Sequence, residues 1–320
     1  MPISKFSGVT LSDISEINGV AVNGIYEVNG VDLPMPHTNT KSLFTDGVND
    51  FVTITLSSDI IPHDSGSISC WVKVDSSNTS TKFFYSIYDA SATSKGRIEL
   101  QYFNTSGSNV FALNGAFRDE ISTNSFAVRM CNAKTKTSDH GKPWNRIASD
   151  YGALGSNNDS VYNANAMKGN WHHVVWTWNA DADYIYNGTT YSGRMRLYLD
   201  GNRVNQGSSS FASHNGTGTA KGLAGIGSGT TFDTIKIGAR FNNNNDIDCL
   251  TDELAIFDGE LTNSQVSDLY NNGSPGDVSS QVSNTLLGWW RFEGNLNDSS
   301  TNSNNGVASN GATFSTDVPS

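Results

Sequence analysis

The sequence predicts an all-β protein: a two-sheet antiparallel sandwich with one short helix and an extended N-terminal β segment. Three observations carry this. Apolar residues recur at every second position in runs such as Ile68-Ser-Cys-Trp-Val-Lys-Val74, so one side of each run can be buried. Hydrophobic residues make up 36% of the 320 and charged residues 16%, beside 31 glycines, which fits sheets joined by polar loops better than a helical bundle. A helical pattern is convincing in only one short stretch, near Thr262. The aromatic share of 10% is too high for a disordered chain.

The chain opens on an eleven-residue repeat. Ile3-Ser-Lys-Phe-Ser-Gly-Val9 returns as Ile14-Ser-Glu-Ile-Asn-Gly-Val20 and as Ile25-Tyr-Glu-Val-Asn-Gly-Val31. Each copy is a short apolar alternation closed by Ser-Gly or Asn-Gly, which reads as a small hairpin. Units this small cannot bury their own face and need a surface to stack on. An ordinary extended lead-in strand is the alternative. Pro34-Met-Pro36 denies regular sheet pairing and marks the boundary. Residues 1–36 are therefore read as an N-terminal segment and 37–320 as the sandwich, with 281–320 closing or extending it.

Within the sandwich, Ile68, Cys70, Val72 and Val74 are expected to face the space between the sheets. In the next clear strand His172, Val174, Trp176 and Trp178 share one face. Trp171, His173, Val175 and Thr177 share the other, so both faces are apolar and the strand is central. Met195, Leu197 and Leu199 continue the alternation, as do Ile235 and Ile237. Asp200-Gly201 reads as a hairpin turn. Thr262 with Gln265 makes a capping box, with Leu261 and Val266 as a staple; Val266, Leu269 and Tyr270 form an apolar face, and Gly273 is the expected stop.

In order, Ser42–Val52, Ile68–Val74, Asn170–Trp176, Leu197–Gly201, Ile235–Arg240 and Thr251–Phe257 resemble the signatures of the laminin G-like branch of the concanavalin A-like jelly rolls. The closest local match is Asp252-Glu-Leu-Ala-Ile-Phe257 followed by Leu261-Thr-Asn-Ser-Gln-Val266. Leu287-Gly-Trp-Trp-Arg-Phe-Glu-Gly resembles the family's opening strand, yet it lies at the far end of the chain. The resemblance implies a jelly-roll sandwich acting mostly as a binding or structural module. The eleven-residue repeat resembles N-terminal segments of phage virion proteins, which implies attachment to a particle.

Glycosidase jelly rolls present two carboxylates on one strand at even spacing. No such run occurs here: Asp252 and Glu253 are adjacent and are expected to point to opposite faces. Phosphate-loop, nucleophile-elbow and zinc-binding His patterns are missing too. His172 and His173 read as one buried and one exposed imidazole, and Cys70 as a small buried hydrophobe. Calcium is the expected cofactor, through Asp46 and Asp50 flanking a turn and Asp246 and Asp248 in the oxygen-rich Asn242–Asp248 loop; ordinary turn chemistry explains the same residues. The long insertion between Tyr102 and Trp171 supplies the candidate ligand residues His140, Lys142, Trp144, Asn145 and Arg146. An aromatic among hydrogen-bonding side chains can hold a sugar ring, and the same set suits packing between subunits. A Gly/Ser-rich stretch, 206–231, reads as a flexible or contact loop.

The net charge of −11 excludes nucleic acid as the expected partner, because affinity for phosphate needs clustered Lys and Arg. Three dispersed cysteines make neither a disulfide framework nor a zinc site. No secretory signal and no membrane-length apolar run are present, so membrane insertion is not expected. These readings converge on a non-enzymatic virion protein of capsid-decoration or fibre type. Its residues 1–36 would bind other virion proteins, its sandwich would meet a surface glycan, and the chain would form a homo-oligomer. A soluble carbohydrate-binding lectin and a glycan hydrolase are the alternatives.

Overall fold

The computed structural model describes residues 37–77, 82–92, 97–103, 125–131, 144–148, 168–186, 189–203, 231–243 and 246–320, together with six two-residue strands before residue 37. The chain divides into two compact units, Met1–Thr38 and Asn39–Ser320. In the first, β1 (Lys5–Phe6) pairs with β2 (Val9–Thr10), β3 (Glu16–Ile17) with β4 (Val20–Ala21), and β5 (Glu27–Val28) with β6 (Val31–Asp32). The innermost pairs are Phe6–Val9, Ile17–Val20 and Val28–Val31, which enclose the Ser-Gly and Asn-Gly dipeptides. Each eleven-residue repeat is thus one miniature hairpin.

The second unit runs in chain order as β7 (Ser42–Asp46), β8 (Phe51–Thr55), β9 (Ser65–Val74), β10 (Lys82–Tyr88), β11 (Arg97–Phe103), β12 (Ser125–Cys131) and β13 (Trp144–Ala148). It continues with β14 (Trp171–Tyr186), β15 (Thr189–Leu199), β16 (Asn202–Arg203), β17 (Thr234–Ile237) and β18 (Asp248–Asp258). Helices α1 (Asn263–Tyr270) and α2 (Val278–Gln281) follow, then β19 (Leu286–Trp290), β20 (Gly306–Ser309) and β21 (Thr313–Ser315). One sheet has the order β13-β12-β11-β10-β17-β8-β20 and the other β16-β15-β14-β9-β18-β7-β21, with β19 also on β18. Every described ladder between these strands is antiparallel.

The alternation places the core as expected. Ile68, Cys70, Val72, Val74, Val174, Trp176 and Trp178 from one sheet meet Val52, Ile54, Ile87, Ile98, Leu100, Ile235 and Ile237 from the other. The Trp176 and Trp178 rings stack with centroids 4.2 Å apart. Gly66 leaves the room they need: a Cβ there would sit 2.4 Å from the Trp178 ring. Strand β14 is covered on both faces because Val175 belongs to a second cluster with Ala255, Phe257, Leu261, Val266, Leu269 and Trp289, beneath α1. Burying each large side chain of that cluster contributes about 1.5–3 kcal/mol.

Thr262 caps α1 through the full capping box with Gln265. The helix ends earlier than expected: Asn271, in the left-handed conformation, is its C-cap, and Gly273 closes the following short 3-10 turn. Asn tolerates that conformation, so the stop does not need glycine. The short helix α2, capped by Asp277, adds to the one helix foreseen. Asp200-Gly201 is the two-residue turn between β15 and β16, both residues at positive φ, as a type I′ hairpin requires. No helix among the described residues is long and apolar enough to cross a membrane.

Candidate functional site

The outward face of the seven-stranded sheet carries an unusual polar floor. Ile54, Ile235, Ile87 and Ile98 pair across the inward side. One residue away, Thr53, Lys236, Ser86 and Glu99 therefore form a row on the outward side. Ser86 and Glu99 are fully buried and Lys236 nearly so. The segment after β17 covers them. Arg240 bonds Glu99 through Nε at 3.1 Å, and its guanidinium lies over the rings of Phe83 and Phe241. Lys236 donates to Phe241 O and to Asn243 Oδ1, with its ammonium 4.7 Å from the Phe51 ring centroid. Burial lowers the Lys236 pKa against the opposing pull of Asp246. Ser86 Oγ has no hydrogen-bond partner. By register the row continues through Arg129 on β12 to Arg146 on β13.

The four acidic residues named for calcium come to one end of the sandwich. Pairing of β7 with β18 sets Asp46 opposite Asp248. Asp46 also closes its turn by accepting from Val48 N–H at 2.8 Å. Burial raises the carboxyl pKa of Asp50, Asp246 and Asp248; Asp46 raises all three further, and Lys82 and Lys236 pull Asp246 back down. Asp246 is 9% exposed and its Oδ1 has no partner. Among the described residues, however, no three His, Cys, Asp or Glu side chains are arranged to hold a metal ion.

The cluster has a consequence for stability. A raised folded-state pKa means the folded chain holds these protons more tightly than the unfolded chain, so stability is lost as pH rises through the raised values. Asp246→Asn removes one buried, partly orphaned charge at constant size. It is expected to raise Tm by about 2 °C or more at neutral pH, the gain shrinking toward about pH 4. Thermal melts of both proteins at the two pH values check this. A variant that is less stable at neutral pH, and more so with millimolar calcium, would make Asp246 a ligand instead.

The adjacent acids Asp252 and Glu253 depart from the sequence expectation. A one-residue bulge falls between Asp252 and Ala255, with Glu253 at φ 48, so the pair no longer alternates. Asp252 lies opposite Trp71 and Glu253 lines a small recess with Trp71 and His173, which puts both acids on the outward, α1 side. Both are buried and engaged. Asp252 accepts from Asn39 Nδ2 at 2.9 Å, and Glu253 takes the Trp289 indole N–H and faces Arg291. Burial, reinforced by Glu253, raises the Asp252 pKa well above the usual carboxylate value. Both carboxylates are thus buried and bonded within the chain.

The two histidines are also corrected. Both are buried: His172 Nδ1 is 2.8 Å from Asp200 Oδ2, and His173 Nε2 is 2.8 Å from Ser69 Oγ. Burial holds His173 down to about 4, so it is a neutral imidazole at pH 7. Cys70 is buried in the core, with its thiol pushed up by that burial.

Of the proposed ligand residues, His140 and Lys142 lie outside the described residues, as does 206–230 of the Gly/Ser-rich stretch. Trp144, Asn145 and Arg146 are not on a loop: they begin the edge strand β13, opposite Cys131, Met130 and Arg129. Glu99, Lys236 and Arg240 were missed, although Ile235-Lys-Ile237 alternation could have marked Lys236 as outward.

No protein-family model and no curated protein matches the chain. Several solved structures are similar in shape. A putative carbohydrate binding protein from Bacteroides ovatus is 13% identical, with 92% of this chain and 66% of that one covered and a TM-score of 0.48. The native heptameric SAP-like pentraxin from Limulus polyphemus is 14% identical over 86% of this chain and 93% of that one, at 0.42. The receptor binding domain of botulinum neurotoxin mosaic serotype C/D is 15% identical, at 0.41; the chain covers 43% of its length. Strand pairing within the chain itself establishes two antiparallel sheets around one core. The fold is a jelly-roll sandwich. In this jelly roll the polar row crosses the outward face of the seven-stranded sheet, and the acid cluster sits where β7 meets β18.

Proposed function

We propose that the chain is a non-catalytic structural protein of a virus particle, of capsid-decoration or fibre type. Its hairpin repeat attaches to other particle proteins and its jelly roll binds a surface glycan. The observation that carries this reading is the division of the chain into a repeat of three miniature hairpins and a self-contained sandwich. The described hairpins each pair over only two residues, and pairings that short ordinarily need a surface to stack on. A homo-oligomer would multiply weak glycan contacts at one surface.

The test is mass spectrometry of density-purified virus particles from the source, joined to a deletion. The full chain is expected in stoichiometric amount. Removing residues 1–36 is expected to abolish incorporation while the remaining chain keeps its cooperative melt and its glycan binding. Absence of the full chain from particles overturns the virion reading. If it is absent yet binds glycans, the chain is a soluble lectin.

A further inference from the structure

We propose that Lys236 and Asn243 become joined through their side chains by an intramolecular amide bond, formed by the folded chain itself. Lys236 stands on β17 and Asn243 in the turn that follows it. The lysine Nζ donates to Asn243 Oδ1, and to the Phe241 carbonyl at 3.4 Å. A hydrogen bond to a carbonyl oxygen holds the donor nitrogen about 3.5–4 Å from the carbonyl carbon, because the C=O bond is about 1.2 Å long. That is close to the roughly 3–3.5 Å separation from which reacting atoms form bonds. Amine and amide are therefore already paired.

The surroundings suit the reaction. Lys236 is buried, with Nζ 4.7 Å from the Phe51 ring centroid and 5.9 Å from that of Tyr88. Burial favours the neutral amine, the form with a lone pair to attack. Backbone bonds fix the turn: Asn243 N–H reaches Arg240 O and Ile247 N–H reaches Gly238 O, each at 2.9 Å. Gly238 N–H bonds Phe84 O of β10 at 2.7 Å. A turn set in advance removes the entropy that would oppose ring closure. Asn243 is itself exposed, which gives a leaving group a way to solvent. Asp246, three residues on, is 9% exposed and has no partner for Oδ1. It lies close enough to Lys236 for each to act on the other's proton.

The step balances within the chain. The Nζ lone pair attacks Asn243 Cγ and the Nζ–Cγ bond forms. The Cγ–Nδ2 bond breaks. One proton passes from Nζ through the Asp246 carboxylate to Nδ2, which leaves as ammonia. No oxidant, reductant or co-reactant enters. The product closes a ring from β17 to its own turn. Arg240 lies inside that ring, so the bond would fix it over Glu99 and the polar floor of the seven-stranded sheet.

Intact-mass measurement and tryptic mapping of the full chain test the proposal. The parent is expected to weigh about 17 Da less than its sequence, the mass of one ammonia. Trypsin is expected to leave Lys236 uncut and to release a branched peptide bonded at Asn243. Lys236→Arg and Asn243→Ala should each return the full mass of their own sequence. Asp246→Asn should slow formation by about a hundredfold, because its amide cannot take the Nζ proton. Its separate charge effect on Tm is then read in the Lys236→Arg background, where no bond forms. A parent at full sequence mass, with Lys236 cut normally, overturns the proposal, and this measurement needs no variant to fold. Ammonia loss that persists in Lys236→Arg overturns it too, in favour of ring closure at an Asn-Gly dipeptide. Bond formation at the parental rate in Asp246→Asn overturns the part given to Asp246.

Discussion

Deletion of residues 286–320 is expected to leave the sandwich unfolded rather than shortened. The segment is woven into both layers. Strand β19 pairs with β18 and β21 with β7 in one sheet, while β20 pairs with β8 in the other. It also supplies Trp290 and Phe292, fully buried side chains of the main core, and Trp289 of the cluster beneath α1. Losing a buried aromatic side chain costs about 3–5 kcal/mol. Three of them, with three strands, exceed the roughly 5–15 kcal/mol by which a domain is ordinarily stable. The truncated chain should show no cooperative thermal transition and should lose its near-ultraviolet circular dichroism. A cooperative melt near that of the parent would mean that residues 39–285 form a complete fold on their own.

The central strands were legible because their burial is set by alternation alone. Parity put Ile68, Cys70, Val72 and Val74 between the sheets, and they are there. The apolar second face of β14 announced a covering layer, and α1 supplies it. Parity failed at Asp252–Ala255, where an extra residue enters the strand. At that bulge Glu253 is in the left-handed region and its side chain meets Trp289 and Arg291, more than thirty residues away, and no local pattern encodes it. Strands β12 and β13 were read as loop for a different reason. Trp144-Asn-Arg146 opens β13 without an apolar alternation, whereas β12 went unread although Phe126, Val128 and Met130 recur at every second position.

Site residues divide in the same way. Asp46, Asp50, Asp246 and Asp248 stood out through local density of turn-forming acids, and the β7–β18 register gathers them from two distant segments. The floor of Lys236, Glu99 and Arg240 was hidden because Glu99 on β11 lies far in the chain from Lys236 on β17 and Arg240 in the turn that follows it. Their sequence neighbours are ordinary, and only the row across the sheet makes them one feature.

Asp298→Ala is expected to lower stability by about 3 kcal/mol, a fall in Tm of about 6–12 °C. Asp298 is a short acid in the loop after β19, and its carboxylate gathers three backbone N–H groups there. Its Oδ1 accepts the Trp289 N–H at 3.0 Å and the Ser300 N–H at 2.9 Å, and its Oδ2 accepts the Asn304 N–H at 2.9 Å. With these bonds made, Asn304 O is in place to accept the indole N–H of Trp290 at 2.8 Å, and Ser299 N–H reaches Trp289 O at 2.7 Å. Alanine would leave three backbone donors facing an apolar methyl, two of them on buried residues, and each buried orphan costs about 1–3 kcal/mol. Asp298→Asn separates this from a general intolerance of substitution. Its one carbonyl oxygen can keep the pair of bonds at Oδ1, but its amide nitrogen confronts the Asn304 N–H, so the loss should fall between parent and alanine. Denaturant melts of the three proteins give the order directly. An asparagine variant as unstable as alanine would move the effect to the carboxylate charge, and an alanine variant as stable as the parent would show that water replaces all three bonds.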